Sequence, residues 1–177
     1  MANAEFYLAL TGPNGRIKGS VEAQGYLEQI ELRDLSWGAN LKKDAADQGS
    51  EGAESKRVEA GDVTLKKRFD QSSTALMKNA VEGTKLAKGV ITLVHRQRQQ
   101  SWGADAVKMT ITLVGIRITR YVLNLVDTDT EVTMEEDVDF SFDSIEIRYS
   151  GHKQVLASGQ SKVPQANFGM KSDGGAL

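Results

Sequence analysis

His95 and His152 are the only histidines of this chain, and histidine is the side chain best suited to bind a metal and to transfer protons near neutral pH. Neither lies in an HExxH pattern. The 177-residue sequence contains no cysteine, which excludes thiolate catalysis, disulfides and cysteine-bound zinc or iron–sulfur sites. We expect His95 at a strand end and His152 in a polar tail, and the sequence therefore predicts no metal site.

A group of carboxylates is the next set of side chains that could carry chemistry. The group consists of Asp127, Asp129, Glu131, Glu135, Glu136, Asp137 and Asp139. The stretch lacks the turn glycine and the terminal bidentate glutamate of an EF-hand loop, so it gives little support to calcium binding. A solvated turn followed by the outward face of a strand is the simpler interpretation.

Other catalytic and ligand-binding patterns are also absent or incomplete. Gly12–Gly19 (GPNGRIKG) matches neither GxGxxG nor GxxxxGK[ST], so it predicts a turn rather than a phosphate site. No GxSxG elbow occurs. His95–Gly103 (HRQRQQSWG) mixes arginines with an aromatic residue, as some nucleic-acid-binding hairpins do, but a polar turn is the simpler interpretation. We therefore expect no catalytic residue, no cofactor and no enzymatic activity.

Composition gives no indication of nucleic-acid or membrane binding. The net charge is −2, and hydrophobic residues make up 40% of the chain, as in ordinary globular domains. The N-terminus (MANAEFYLALTGPNG) has no basic region of the kind found in secretory signals, and no apolar run approaches the roughly 20 residues of a membrane span. We expect a single domain made in the cytoplasm, which would leave the cell, if it does, without a signal peptide.

Most of the chain alternates as β-strands do, and these strands must position any functional surface. In Val107–Val114 the residues Val107, Met109, Ile111 and Leu113 face one way, and Lys108, Thr110 and Thr112 face the other. Similar patterns occur at Glu5–Leu10, Val63–Phe69, Lys88–Arg96, Gly115–Val126 and Val138–Tyr149. Antiparallel strands with one polar face, joined by short turns, predict a mainly β barrel or sandwich.

The alternation slips by one residue at two places, Arg33–Asp34 and Asp143–Ser144. We interpret each slip as a β-bulge that bends the strand and returns the apolar residues to the core. In Ile30–Gly38 (IELRDLSWG) this interpretation places Leu35 and Trp37 in the core and turns Ser36 away from it. Ser36 would then meet water, or line an aqueous channel in an oligomer.

Three segments depart from the strand pattern. Ser72–Gly83 predicts a short helix, with a serine N-cap, a C′ glycine and an apolar stripe that combines the pairs Leu76/Ala80 and Met77/Val81. Asn40–Gly61 has no periodicity and predicts a long loop, which in a compact domain is usually functional or disordered. The tail from Ser150 is rich in glycine and serine, and we expect it to pack on neighbouring copies.

Several stretches together resemble the haemolysin-coregulated protein family, whose members form the inner tube of the bacterial type VI secretion system. They are EFYLALTG with IKGS, IELRDLSWG, VTLKKRFDQSSTALMKNAVEGTKL, MTITLVGIRITRY and EEDVDFSFDSIEIRY. The resemblance covers roughly residues 5–149. The tail's NFGMK is similar to the family's C-terminal segment, with Met170 in place of a tryptophan.

The resemblance implies a two-sheet antiparallel β-barrel with one short flanking helix, about Ser72–Glu82, that assembles as a homohexameric ring. Rings would stack into a hollow tube that a contracting sheath propels. The implied partners are other copies of the chain, the sheath, a spike trimer at the tube tip and effector proteins in the lumen. We expect a barrel domain over 1–149 with a long loop at 40–61, and a C-terminal extension over 150–177.

Two sets of residues follow as candidate sites for this role. Ser36 is the candidate lumen residue, where cargo passes. The mixed charges of the long loop suit head-to-tail contacts between rings, because unlike surfaces meet in an open-ended assembly. The candidate ring-stacking residues are Lys42, Lys43, Asp44, Glu54, Lys56 and Arg57.

Two alternatives share much of this pattern. A tail-tube protein of a phage or phage-like contractile particle has a related fold, and neighbouring sheath and type VI ATPase genes, rather than capsid genes, would discriminate the two. An enzyme or effector domain fused to the tube fold is the other alternative. The tail from Ser150 is too short to form a catalytic domain, which argues against it.

Overall fold

The computed structural model describes residues 3–43, 56–96, 106–127, 132–150, 154–155, 161–162 and 165–171. Its elements are one helix and a series of antiparallel strands. They are β1 (Asn3–Gly12), β2 (Gly15–Ile17), β3 (Ile30–Leu32), β4 (Asp34–Ser36), β5 (Ala39–Lys43), β6 (Lys56–Ala60), β7 (Val63–Arg68), α1 (Ser73–Glu82), β8 (Leu86–Arg96), β9 (Ala106–Asp127), β10 (Val132–Ser141), β11 (Ser144–Ser150), β12 (Gln154–Val155), β13 (Ser161–Lys162) and β14 (Gln165–Lys171).

Two antiparallel sheets share the long strand β9. In the first sheet, β1 pairs with β2, β3 and β8, and the N-terminal half of β9 pairs with β8 and β11. In the second sheet, the C-terminal half of β9 pairs with β10, which pairs with β7, and β7 pairs with β4. The predicted fold class, mainly β with two antiparallel sheets and one short flanking helix, is confirmed.

The core lies between the inner faces of these strands, where the predicted alternation is confirmed. Ile111 and Leu113 of β9 are buried, and so are Val138 and Phe140 of β10. They belong to one apolar cluster that also contains residues of β1, β3, β7, β8 and α1. A single cluster built from both sheets means that the strands form one folding unit.

The two alternation slips are corners between the sheets rather than bulges within one strand pair. At Arg33 the chain leaves β3, which pairs with β1, and enters β4, which pairs with β7. At Phe142–Asp143 it leaves β10 in the second sheet and enters β11 in the first. A strand that changes sheets must bend, and the bend shifts the phase of its side chains, which explains why the sequence pattern resembles that of a bulge.

Helix α1 begins after Ser72 and its C-cap is Gly83, as predicted, but the Ser72 hydroxyl donates to Asp70 Oδ1 and does not cap the helix. Gly83 adopts the left-handed conformation (φ +62°), and the amides of Gly83 and Thr84 donate to the carbonyls of Ala80 and Asn79. The prediction of one docked apolar stripe was only half right. Leu76 is buried and Ala80 packs on the core, but Met77 and Val81 point to the surface.

The segment predicted as a loop at 40–61 is a hairpin at its two ends. β5 and β6 pair from Ala39↔Ala60 to Lys43↔Lys56, and residues 44–55 lie outside the described part of the chain. The sequence analysis missed this ladder because each strand pairs over only five residues, too few for a clear alternation of apolar and polar residues. In the tail, β14 pairs with β11 of the same chain, so this strand extends the first sheet.

Candidate functional site

Ser36 lies on the exposed surface of β4, at the edge of the second sheet, directly opposite Thr64 of β7. Its neighbours Leu35 and Trp37 are half-buried and pack on the core cluster. The Trp37 indole N–H donates to the Gly61 carbonyl at 3.0 Å, which fixes the chain where β4 ends. The prediction that Ser36 faces away from the core is confirmed, while its place in a lumen stays a prediction.

One row of residues on the face of Ser36 is polar across the whole width of the second sheet. Cross-strand register places Ser36 beside Thr64, Thr64 beside Asp139, and Asp139 beside Arg120. Arg120 Nη1 lies 3.6 Å from Asp139 Oδ2. These positions belong to four adjacent strands, so they form a continuous row.

A second row on the same face carries charges of both signs. Asp34 lies beside Lys66, Lys66 beside Asp137, and Asp137 beside Val122. Next to this row, Arg33 Nη1 contacts Glu135 Oε1 at 2.7 Å. We call these two rows the polar face. Exposed pairs of this kind stabilise the fold by only about 0–1 kcal/mol each, so their main effect is a hydrated surface of mixed charge.

The structure describes four of the six candidate ring-stacking residues. Lys42 lies opposite Arg57 and Lys43 opposite Lys56 in the β5–β6 hairpin, so four basic residues are adjacent in register. Asp44 and Glu54, which would supply the negative charges, lie outside the described residues. The role of these residues in stacking stays a prediction.

A buried polar network joins the second sheet to the start of α1, and the sequence analysis missed it. Lys67 and Glu136 are 2% and 0% exposed, and Lys67 Nζ lies 2.6 Å from Glu136 Oε2. The ammonium also contacts Asp70 Oδ1 at 2.9 Å and donates to Ser73 Oγ at 3.0 Å. The Tyr121 hydroxyl donates to Glu136 Oε1 at 2.6 Å, which completes the network.

The position of Lys67 in its strand could have revealed this network. Val63 and Leu65 precede it on the same inner face of β7, so the period of two directs the Lys67 side chain into the core. A buried lysine requires an anionic partner, and Glu136 occupies the matching inner position two residues before Val138. The signal in the sequence was therefore a charged residue, Lys67, at a strand position that faces the core.

The network shifts the pKa values of two of its members. Burial of Asp70 favours its neutral form, but hydrogen bonds from Ser72 and Lys67 and the Lys67 charge outweigh burial and hold the pKa of Asp70 below its ordinary value of 3.8. Burial, the hydrogen bond to Glu136 and the Glu136 charge raise the pKa of Tyr121. The lowered pKa favours an ionised Asp70 and the raised pKa favours a protonated Tyr121, as their hydrogen bonds require.

A cleft of about 410 Å³ separates the β1–β2 turn from helix α1. Three bases, Arg16, Lys18 and Lys78, and one acid, Glu82, lie along it. Lys18 Nζ contacts Glu28 Oε1 at 2.7 Å at the surface. The cleft is open and basic, and its geometry suits contact with an acidic surface more than enclosure of a small molecule.

Neither metal chemistry nor a membrane helix is supported by the described residues. Their histidine, aspartate and glutamate side chains form no group of three that could hold a metal ion. The ten-residue helix α1 is too short to span a bilayer, and the described chain contains no longer apolar helix.

Residues 7–149 match the family model described as "Type VI secretion system effector, Hcp". The match covers both sheets up to β11, including the polar face and the buried network. No curated protein sequence matches the chain.

Solved structures with similar folds come from the same secretion system. A structure described as a type six secretion system protein has 15% identity and a TM-score of 0.74, with 96% of each chain covered. Hcp1 from Salmonella typhimurium has 15% identity and a TM-score of 0.67, with 97% of this chain and 95% of that chain covered. A mutant Hcp1 from E. coli EAEC 042 has 19% identity and a TM-score of 0.64, with 91% and 98% covered. At these identities the likeness concerns the fold.

Proposed function

The chain belongs to the Hcp family and is a tube subunit of the type VI secretion system, and on this premise we propose that six copies close into a ring whose stacking builds a hollow tube. Ser36 and the polar face line the lumen of that ring. The role of the subunit is structural rather than catalytic. It is made in the cytoplasm and leaves the cell through the type VI machine.

The observation that supports the lumen assignment best is the composition of the polar face. Its two rows contain small hydroxyls at Ser36 and Thr64 and alternating charges at Asp34, Lys66 and Asp137, on three adjacent strands. Arg120, beside Asp139, extends the first row to a fourth strand. Such a surface keeps its water and offers a passing protein no large apolar patch to adhere to. An effector can therefore sit inside the tube and leave it again.

Stacking of rings requires unlike surfaces on the two sides of each ring, because a repeated head-to-tail contact produces an open-ended filament. The β5–β6 hairpin suits one side of that contact, since Lys42, Lys43, Lys56 and Arg57 are adjacent in its register. We place an acidic surface of the next ring against it. The sheath outside the tube and a spike trimer at its tip complete the set of proposed partners.

Electron microscopy of the purified protein tests the proposal directly. We expect negative-stain images to show rings with an open centre and six-fold symmetry, and longer tubes at high protein concentration. A monodisperse monomer at high concentration, measured by light scattering, would contradict ring formation. Rings with a different symmetry would retain the tube role and refute the hexamer.

A further inference from the structure

The end of the β9–β10 hairpin extends beyond the core of the subunit. Along the inner face of β10, Phe140, Val138 and Glu136 are fully buried, but Met134 and Val132 are exposed. The buried network around Glu136 therefore marks the place where the core ends. We call the segment beyond it, Leu123–Asp127 with Val132–Glu135, the arm.

One face of the arm is apolar and exposed. Register places Leu125 opposite Met134, and Leu123 and Val132 alternate with them on the same face. Leu125 is 70% exposed and Val132 is 62% exposed, although both continue the inner face of the sheet. Four large apolar side chains side by side in water are unusual for a subunit that stays alone.

Acidic residues surround this apolar face. The stretch Leu123–Asp137, which includes the arm, contains six carboxylates and no lysine or arginine. Lys67 pairs with Glu136 and Arg33 pairs with Glu135. Asp127, which is exposed beside Val132, leaves the arm with a net negative charge. A surface that binds the arm should therefore be apolar at its centre and basic around it.

Helix α1 carries a surface of this composition. Met77 and Val81 form an apolar pair one turn apart on the exposed side of the helix, and Val81 is 84% exposed. Bases lie near them, each with a partner in its own subunit. Lys78 pairs with Glu82 at 3.9 Å, Lys85 pairs with Asp143 at 2.6 Å, and Arg117 Nη1 donates to the Gly83 carbonyl at the helix C-terminus. The basic cleft with Arg16 and Lys18 borders the same helix.

We propose that the apolar face of the arm in one subunit packs on Met77 and Val81 of helix α1 in a second copy of this chain. The inference rests on the proposed ring, because it assigns the contact between neighbouring subunits. The two surfaces are different, so the contact is heterologous, and repetition of a heterologous contact closes a ring when the rotation per subunit divides the circle. The opposite charges around the two surfaces fix their orientation.

Thiol cross-linking tests the contact cleanly, because the natural chain has no cysteine. The variant with Leu125→Cys and Val81→Cys in one chain should give a ladder of covalent oligomers with a short bismaleimide, visible on a denaturing gel. Each single variant should remain at monomer mass. The matched control combines Leu125→Cys with Val114→Cys, an exposed position on the first sheet, and should give no ladder.

The outcomes separate this inference from the proposed function. If the wild-type chain forms rings by electron microscopy but the Leu125→Cys/Val81→Cys variant gives no more ladder than the control, the contact is refuted and the ring stands. If the wild-type chain stays monomeric, both the proposed ring and the proposed contact are refuted. A charge substitution gives a second measurement: Leu125→Glu should reduce the mass in light scattering from oligomer to monomer with an unchanged circular dichroism spectrum, whereas Val114→Glu should not. An oligomer of wild-type mass for Leu125→Glu overturns the proposal.

Discussion

Gly115 of β9 lies directly against the carboxylate of Asp143, and a Cβ added to Gly115 would overlap that carboxylate. Gly115 has φ +66°, and the Asp143 amide donates to the Val114 carbonyl at 2.9 Å. At this point β9 passes from the first sheet to the second, and the β10–β11 segment passes back. The two corners are packed into each other, which holds the sheets in one arrangement.

Gly115→Ala should destabilise the fold. A left-handed conformation costs an L-residue roughly 1–2 kcal/mol, and moving the exposed Asp143 side chain away from Lys85 adds about 0–1 kcal/mol, so we expect a loss of about 1–3 kcal/mol. Urea denaturation of the two proteins measures the difference. Gly83→Ala is the matched control, because Gly83 also has a positive φ but no atom lies within 4 Å of its added Cβ. Equal losses for the two variants would mean that the contact with Asp143 contributes nothing.

Lys67→Met should cost about 3–5 kcal/mol, because it leaves Glu136 buried without its ion-pair partner. The double variant Lys67→Met/Glu136→Leu should recover most of this loss, since it buries no unpaired charge. Denaturant unfolding of the single and double variants measures the change in the free energy of unfolding for each. Lys18→Met removes an exposed pair with Glu28 and should change the free energy of unfolding by only about 0–1 kcal/mol. A loss below this control value for Lys67→Met would refute the role of the network.

Asp70 should make stability depend on pH in the acidic range. Its pKa is lower in the folded protein than its ordinary value of 3.8, so its contribution is present above that value and is lost as the pH falls through the folded pKa. We expect the free energy of unfolding of the wild type to fall more steeply between about pH 5 and pH 3 than that of Asp70→Asn. Parallel curves for Asp70→Asn and the wild type would contradict the prediction.

Ser36→Trp should leave the subunit folded and the ring intact but impair effector retention or transit. Ser36 is exposed and its neighbours Leu35 and Trp37 hold the strand, so a large side chain projects from the polar face without entering the core. The measurement is the amount of effector secreted, with ring formation checked by electron microscopy. Ser36→Thr, which keeps a small hydroxyl at the same position, should secrete normally. Unchanged effector secretion by Ser36→Trp would exclude Ser36 from the lumen.

Reversing Lys42 and Lys43 to glutamate should leave rings intact and weaken tube growth. The new carboxylates would lie opposite Arg57 and Lys56, which stabilises the β5–β6 hairpin, so any loss of tubes arises from contacts outside it. Tube length by electron microscopy is the readout. Lys42→Arg/Lys43→Arg keeps the charges and should form tubes of normal length. Normal tubes from the reversed variant would remove these residues from the stacking contact.

The sequence predicted the core strands, the helix and the outward position of Ser36, because each of these depends on local alternation or on a C-cap glycine, but it missed the β5–β6 hairpin. It could not tell a bulge from a corner at Arg33, because both shift the phase by one residue and only the identity of the pairing strand distinguishes them. Nor could the sequence tell which apolar residues of α1 are buried and which are exposed. Leu76 and Met77 are equally apolar, and only the position of the sheet decides that Leu76 is buried and Met77 exposed.

The long strand β9 also has a mechanical consequence. In the proposed tube, load that enters a subunit through one sheet reaches the other along a continuous covalent backbone, because Ala106–Asp127 belongs to both. Separating the sheets by force requires rupture of hydrogen-bond ladders on both halves of the strand. A projectile built from such subunits resists shear without a single disulfide, and its strength is therefore the same in a reducing and an oxidising compartment.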